Sequence, residues 1–158
     1  MSTSFVRFGS SGDWRTLETS QWIPRRRDEV FLFFSDARNL ESLTPPLLRF
    51  EILSRGPLEM RAGLLIDYRL RLRGWPMRWQ TEITAWEPPH RFVDEQRRGP
   101  YRAWIHEHRF EERDGGTLVM DRVRYRVPGG AVVDRLLVRR DLRRIFLFRR
   151  SRLGEAFP

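Results

Sequence analysis

The stretch Gly99-Pro100-Tyr101-Arg102-Ala103-Trp104-Ile105-His106-Glu107-His108-Arg109-Phe110 opens on a Gly-Pro turn and then alternates with period two, as a β-strand does. Trp104, His106, His108 and Phe110 fall on one face, and Ile105, Glu107 and Arg109 on the other. Two of the chain's three histidines therefore stand in line on an aromatic face. If that face is the inner one, its imidazoles need hydrogen-bond partners, and the stripe predicts a polar patch in an otherwise apolar cavity.

Working outward, the same alternation recurs. Leu64 to Leu72 puts Leu64, Ile66, Tyr68, Leu70 and Leu72 on one face. Met77 to Glu87 does so with Trp79, Thr81, Ile83 and Ala85, and Thr117 to Val127 with Val119, Asp121, Val123 and Tyr125. Phe50 to Leu53 and Arg91 to Arg97, which includes Gln96, complete six strands. Gly56-Pro57, Gly74-Trp75-Pro76, Pro88-Pro89 and the hairpin turn Asp114-Gly115-Gly116 separate them. Short turns between six strands predict one antiparallel meander. No GxGxxG or Walker motif accompanies it.

Upstream, Thr16 to Ile23 reads as a first strand. Val30-Phe31-Leu32-Phe33-Phe34 fits strand or helix by period alone, and Asp28 and Glu29 before it favour a helix. Ser35 or Asp36 caps a second short helix, Ala37 to Leu43, which Thr44-Pro45-Pro46 stops. Downstream, Pro128-Gly129-Gly130 ends the sheet and a long helix is expected from about Ala131 to Ser151. Its stripe Val138, Leu142, Ile145 and Phe146 should pack on the sheet. A second set, Val133, Leu136, Leu137, Leu147 and Phe148, would meet the short helices, a strand edge or another subunit, which allows a homodimer. The expected organisation is an N-terminal leader over 1–15, one domain over 16–152 and a tail over 153–158.

Composition sets the outer limits. At 158 residues, 40% hydrophobic and 32% charged, the chain has the profile of one globular domain. It has no cysteine, which excludes disulfides and thiolate metal sites and is compatible with a cytoplasmic location. No signal sequence is evident, and no apolar run approaches the roughly 20 residues of a membrane span. All 30 basic residues are arginine. The net charge of +9 is concentrated in residues 135–152, where eight arginines face Asp141 alone. Arginine on the outer side of an amphipathic helix is ordinarily a solvated face. It allows weak contact with an anionic membrane surface. No base-stacking aromatic set or DNA-binding motif supports a specific nucleic-acid role.

Four stretches go further. They are Val30-Phe31-x-Phe33-Phe34-Ser35-Asp36-Ala37-Arg38-Asn39-Leu40-Glu41-x-Leu43-Thr44-Pro45-Pro46, Trp86-Glu87-Pro88-Pro89-x-Arg91-Phe92-Val93-Asp94-Glu95-Gln96, Gly99-Pro100-Tyr101 with Trp104-x-His106-x-His108-x-Phe110, and Gly115-Gly116-Thr117-Leu118-Val119-x-Asp121. Together with the element order they resemble bacterial members of the SRPBCC superfamily, the START, Bet v 1 and polyketide cyclase/dehydrase group. The resemblance covers roughly residues 16–152. It implies an α+β helix-grip fold, a curved antiparallel sheet around the long C-terminal helix with an apolar cavity between them. It also implies a small hydrophobic ligand, lipid- or polyketide-like. Fold alone does not choose between binding and cyclisation or dehydration.

Strand parity places Tyr68, Trp79, Gln96, Trp104, His106, His108, Phe110 and Asp121 on the expected cavity wall, with Trp79 and Gln96 open to reversal by a single bulge. An H-x-H pair on one strand face is also a zinc-binding spacing, for which Asp121 is the best third ligand. With no further inward His or Glu evident, we expect no metal and no other cofactor. Paired instead with a histidine, Asp121 would accept its hydrogen bond. If the protein is an enzyme, the candidates for proton transfer are His106, His108 and Asp121. A further alternative is an accessory module for a sugar-nucleotide epimerase made as a separate chain. In each case Asp121, among Val119, Val123 and Tyr125, must be paired with a histidine or an inward-reaching arginine.

Overall fold

A computed structural model describes residues 6–158. Its strands are β1 (Arg7–Ser11), β2 (Trp14–Ile23), β3 (Glu51–Ile52), β4 (Leu65–Leu72), β5 (Trp75–Glu87), β6 (Arg91–Arg98), β7 (Ala103–Arg113) and β8 (Gly116–Arg126). Short helices α1 (Arg27–Ser35) and α2 (Arg38–Ser42) and a 3-10 turn (Pro46–Leu48) follow β2. After β8 come α3 (Gly130–Val133), a π-helical segment (Asp134–Val138) and α4 (Arg139–Ala156), which together make the C-terminal helix.

Turn chemistry sets the register that matters. Asp114 and Gly115 both take left-handed backbone, φ 50° and 75°, which gives a two-residue turn of the twist hairpins prefer. That turn pairs Trp104 with Tyr125, His106 with Val123, His108 with Asp121 and Phe110 with Val119. All eight of these side chains are buried on one face. The strands form one antiparallel sheet in the order β1-β2-β8-β7-β6-β5-β4-β3, so the first strands return to pair with the last. Leu142 and Phe146 of α4 are buried against this face, and Val138 and Ile145 pack beside them, as the stripe predicts. This is the Bet v 1-like helix-grip fold.

Three expectations about the ends differ. Beyond residues 1–5, which lie outside the described residues, the expected leader contains β1, paired with β2 from Arg7↔Glu18 to Ser11↔Trp14. Its sequence, Arg-Phe-Gly-Ser-Ser, has no apolar alternation to announce a strand. The C-terminal helix runs on to Ala156, and the expected tail places Leu153 and Phe157 in the core with Phe31, Phe34 and Phe110. The helix also carries a π-helical turn, in which buried Asp134 accepts hydrogen bonds from the Tyr125 hydroxyl at 2.8 Å and Arg139 Nε at 2.9 Å. Of the second helical stripe, Val133 joins the core, whereas Leu136, Leu137 and Leu147 are exposed. Because Leu153 is 2% exposed, Leu153→Ala is expected to destabilise the protein by about 2–4 kcal/mol in denaturant unfolding, whereas a residue in a loose tail would cost almost nothing.

Candidate functional site

The cross-strand register puts four polar side chains side by side on the inner face. Asp94 on β6 lies opposite His106 on β7, and His108 lies opposite Asp121 on β8. The short hydrogen bonds run diagonally. His106 Nε2 is 2.8 Å from Asp121 Oδ1, and His108 Nε2 is 2.7 Å from Asp94 Oδ2. The two imidazoles stack with centroids 3.7 Å apart, and Phe92 stacks on the far side of His108 at 4.1 Å. From α4, Arg149 reaches down to place Nη2 3.2 Å from Asp121 Oδ1. Its guanidinium lies over the rings of Phe34 at 5.1 Å and Phe146 at 5.9 Å, cation–π contacts that offset part of its desolvation.

Protonation follows from this geometry. Burial would push the Asp121 carboxyl up. The Arg149 charge and the hydrogen bonds from His106 and His108 overcome it and hold the group well below the usual carboxylate range. Burial likewise opposes ionisation of Asp94, which the His108 hydrogen bond and the surrounding positive charges keep below its ordinary value. An ionised carboxylate only accepts, so His106 donates from Nε2 to Asp121. Nε2 of His108 faces Asp94, and its Nδ1 lies 3.1 Å from Asp121 Oδ1 and 3.4 Å from Arg149 Nη2. Burial opposes a charge on His108, but these two carboxylates outweigh it and raise its pKa. His106 shifts the other way, lowered by burial and by the His108 charge against the pull of Asp121 and Asp94. Both carboxylates are thus ionised beside the Arg149 guanidinium, and the two imidazoles are driven apart, His108 towards its charged form and His106 towards its neutral one. Nδ1 of His106 makes no hydrogen bond among the described residues, and its nearest carboxylate oxygen, on Asp94, is 3.9 Å away.

Beside this cluster, between sheet and helix, lies a cavity of about 200 Å³. Ile66, Tyr68, Leu70, Trp79, Ile83 and Trp104 wall it from the sheet, Leu142, Ile145, Phe146 and Arg149 from α4, and Leu40 and Leu43 from the α2 region. Asp94, His106 and His108 border it. Tyr68, whose hydroxyl is held neutral by burial and by the Asp94 charge, makes no hydrogen bond among the described residues.

Of the eight residues singled out from the sequence, Tyr68, Trp79, Trp104, His106 and His108 line this cavity. Phe110 faces inward but packs with Phe31 and Phe34 in the core below it. Gln96 shares the inner face yet uses its amide on the Gly99-Pro100 turn, donating to the Tyr101 carbonyl at 2.7 Å and accepting from the Tyr101 amide at 3.2 Å. Asp121 lies behind the histidines, on the Arg149 side. It has both partners expected of it, a histidine and an inward arginine. As a third metal ligand Asp121 is displaced by Asp94: a guanidinium already occupies the Asp121 side, whereas donor atoms of Asp94, His106 and His108 all lie within 4.8 Å of one another. Asp94 and Arg149 were not anticipated. The parity that turns Gln96 inward turns Asp94 inward too, and Arg149 continues the stripe Leu142, Ile145, Phe146 at the next helical step.

The model of the family described as polyketide cyclase/dehydrase and lipid transport matches residues 23–147, and the chain belongs to that family, within the SRPBCC superfamily. Its members bind hydrophobic ligands. No curated protein matches the sequence. Among solved structures, protein Ms6760 from Mycobacterium smegmatis is similar with a TM-score of 0.69 and 18% identity, over 96% of each chain. A protein from Arthrobacter aurescens is similar with a TM-score of 0.72 and 13% identity, over 94% of this chain and 91% of that one. The major latex-like protein 151 of Panax ginseng gives 0.68 and 13%, over 92% and 99%. At these identities the likeness is one of fold. No helix among the described residues is long and apolar enough to cross a membrane.

The cluster makes stability depend on Asp121 and on pH. Asp121→Ala should cost about 2–4 kcal/mol, because it strands the buried Arg149 and His106, and Asp121→Asn about as much, because Arg149 is charged. His106, with its lowered pKa, contributes stability that is present above about pH 6.5 and lost as pH falls, and the two aspartates add to that loss below about pH 4. His108, with its raised pKa, contributes stability that is present below about pH 6.5 and lost as pH rises through its folded-state value. Denaturant unfolding across a pH series should show a maximum near pH 6–7. Asp121→Asn should flatten the alkaline arm, since His108 loses one of the carboxylates that hold its proton. A wild-type profile flat from pH 5 to 9 would contradict this protonation scheme.

Proposed function

We propose that the protein binds a small, mostly apolar molecule of one or two rings, carrying one hydroxyl or carbonyl group, in the cavity between sheet and helix. The observation that carries the reading is the pairing of an aromatic and aliphatic wall with two polar atoms that make no hydrogen bond among the described residues, His106 Nδ1 and the Tyr68 hydroxyl. Such atoms on a buried wall are costly unless a ligand or water meets them, and a few convergent polar groups in an apolar cleft are the ordinary form of a ligand site. A neutral His106 accepts a hydrogen bond from a ligand hydroxyl, and Tyr68 donates one to a ligand oxygen. Size narrows the class. An apolar cavity of about 150 Å³ holds benzene, so about 200 Å³ suits a compact, polyketide-like ring system and is small for a whole lipid.

One observation favours proton transfer as a second reading. The Asp121–His106 pair has the arrangement of a general base held in one tautomer by a carboxylate, with the free ring nitrogen beside the cavity. A cyclisation or dehydration of a polyketide-like substrate would use it.

The experiment is a titration of tryptophan fluorescence with 2-naphthol and with naphthalene. Saturable one-to-one binding is expected, with 2-naphthol roughly tenfold tighter, and His106→Ala should abolish the difference. Absence of saturable binding by either compound, or equal affinity of the wild type for both, would overturn the reading. Solvent-deuterium exchange into 2-tetralone, catalysed by the wild type and lost in His106→Ala, would establish proton transfer over binding alone.

A further inference from the structure

We propose that Asp94, His106 and His108 form a site for one divalent transition-metal ion, zinc or iron(II), at the polar edge of the cavity. The three donors come from adjacent strands, and their ligand atoms lie within 4.8 Å of one another. Asp94 Oδ2 is 2.7 Å from His108 Nε2 and 3.9 Å from His106 Nδ1. Ligand atoms of a tetrahedral ion with bonds of about 2.0–2.1 Å stand roughly 3.3 Å apart. The two Asp94 distances bracket that value. An ion enters by releasing the Nε2 proton of His108 to solvent, opening the contact of that nitrogen with Asp94 and drawing the two ring nitrogens, now within 4.8 Å of each other, onto itself.

A second observation, independent of the donor triad, lies on the opposite side of the rings. Each imidazole turns its other nitrogen to one carboxylate oxygen: His106 Nε2 at 2.8 Å and His108 Nδ1 at 3.1 Å from Asp121 Oδ1. Arg149 Nη2, at 3.2 Å, anchors that oxygen. A carboxylate behind a histidine is the usual outer support of a metal-binding imidazole, fixing its tautomer and raising its basicity. The guanidinium also decides which side an ion takes, since a fixed cation beside Asp121 leaves only the Asp94 side open to a second one. Two ring nitrogens and one carboxylate suit zinc or iron(II) and not calcium or magnesium, which take oxygen ligands. Because the ion takes the His106 Nδ1 lone pair, a water or a ligand oxygen would then meet the ion itself, at the coordination position that three protein ligands leave open beside the cavity.

The test needs no organic ligand, so its outcome is separate from that of the binding reading. Chelator-treated full-length protein is titrated with Zn²⁺ by calorimetry and with Co²⁺ by visible absorption. One ion per chain is expected, weakened at least tenfold in Asp94→Ala and by roughly ten- to a hundredfold in Asp121→Asn. Circular dichroism checks that the variants fold. If Asp94→Ala does not, imidazole NMR signals of the wild type decide the matter: Zn²⁺ should move those of His106 and His108 and leave those of His90, on the β5–β6 turn, in place. No saturable binding at one equivalent, binding undiminished in a folded Asp94→Ala, or perturbation of His90 alone would overturn the proposal.

Discussion

The buried carboxylate of Asp121 is the constraint around which the interior is organised. A charge at that depth on a strand otherwise made of Val119, Val123 and Tyr125 is untenable alone, and the fold supplies its partners from two directions. His106 comes from the neighbouring strand, and Arg149 from a helix distant in sequence. The contact therefore ties the C-terminal helix to the sheet with directional bonds as well as apolar packing. It also settles the tautomer of His106 and, together with Asp94, raises the pKa of His108. Removing the carboxylate would loosen helix, histidines and cavity wall together.

What the cavity can do follows from how this cluster spends its hydrogen bonds. Asp121 Oδ1 gathers His106, His108 and Arg149, and His108 is held between two carboxylates. His106 Nδ1 and the Tyr68 hydroxyl make no hydrogen bond among the described residues, and both belong to residues that line the cavity with Trp79, Trp104, Ile66 and Leu70.

The sheet was legible because its inner face alternates cleanly along β4, β7 and β8, and its turns carry Gly, Pro and Asp where the backbone requires them. The helix-grip arrangement followed from element order and family resemblance together. Less legible were the ends. Arg7–Ser11 pairs through backbone groups with few apolar side chains, and Leu153 and Phe157 are too sparse to form a periodic pattern. The π-helical turn at Asp134–Val138 has no sequence signature at all. In the site, period-two parity found the two histidines and Asp121 but could not say which inward residues touch the cavity. Gln96 turns inward and is then consumed by a local turn, and Phe110 turns inward into solid core. Asp94 and Arg149 were within reach of the same periodicities. An acid between Val93 and Glu95, and an arginine in a run of arginines, read as surface until the geometry places them.

The central claim is that Asp121 fixes the neutral His106 with its proton on Nε2 and the Nδ1 lone pair beside the cavity, while the adjacent His108 keeps its charge to higher pH. Long-range proton–nitrogen NMR correlation of ¹⁵N-labelled, metal-free protein across a pH series reads both directly. As pH rises, His106 should lose its charge first, leaving a protonated Nε2 and a bare Nδ1, and His108 should follow at higher pH. A neutral His106 protonated on Nδ1, or a His108 that loses its charge before His106, would contradict it.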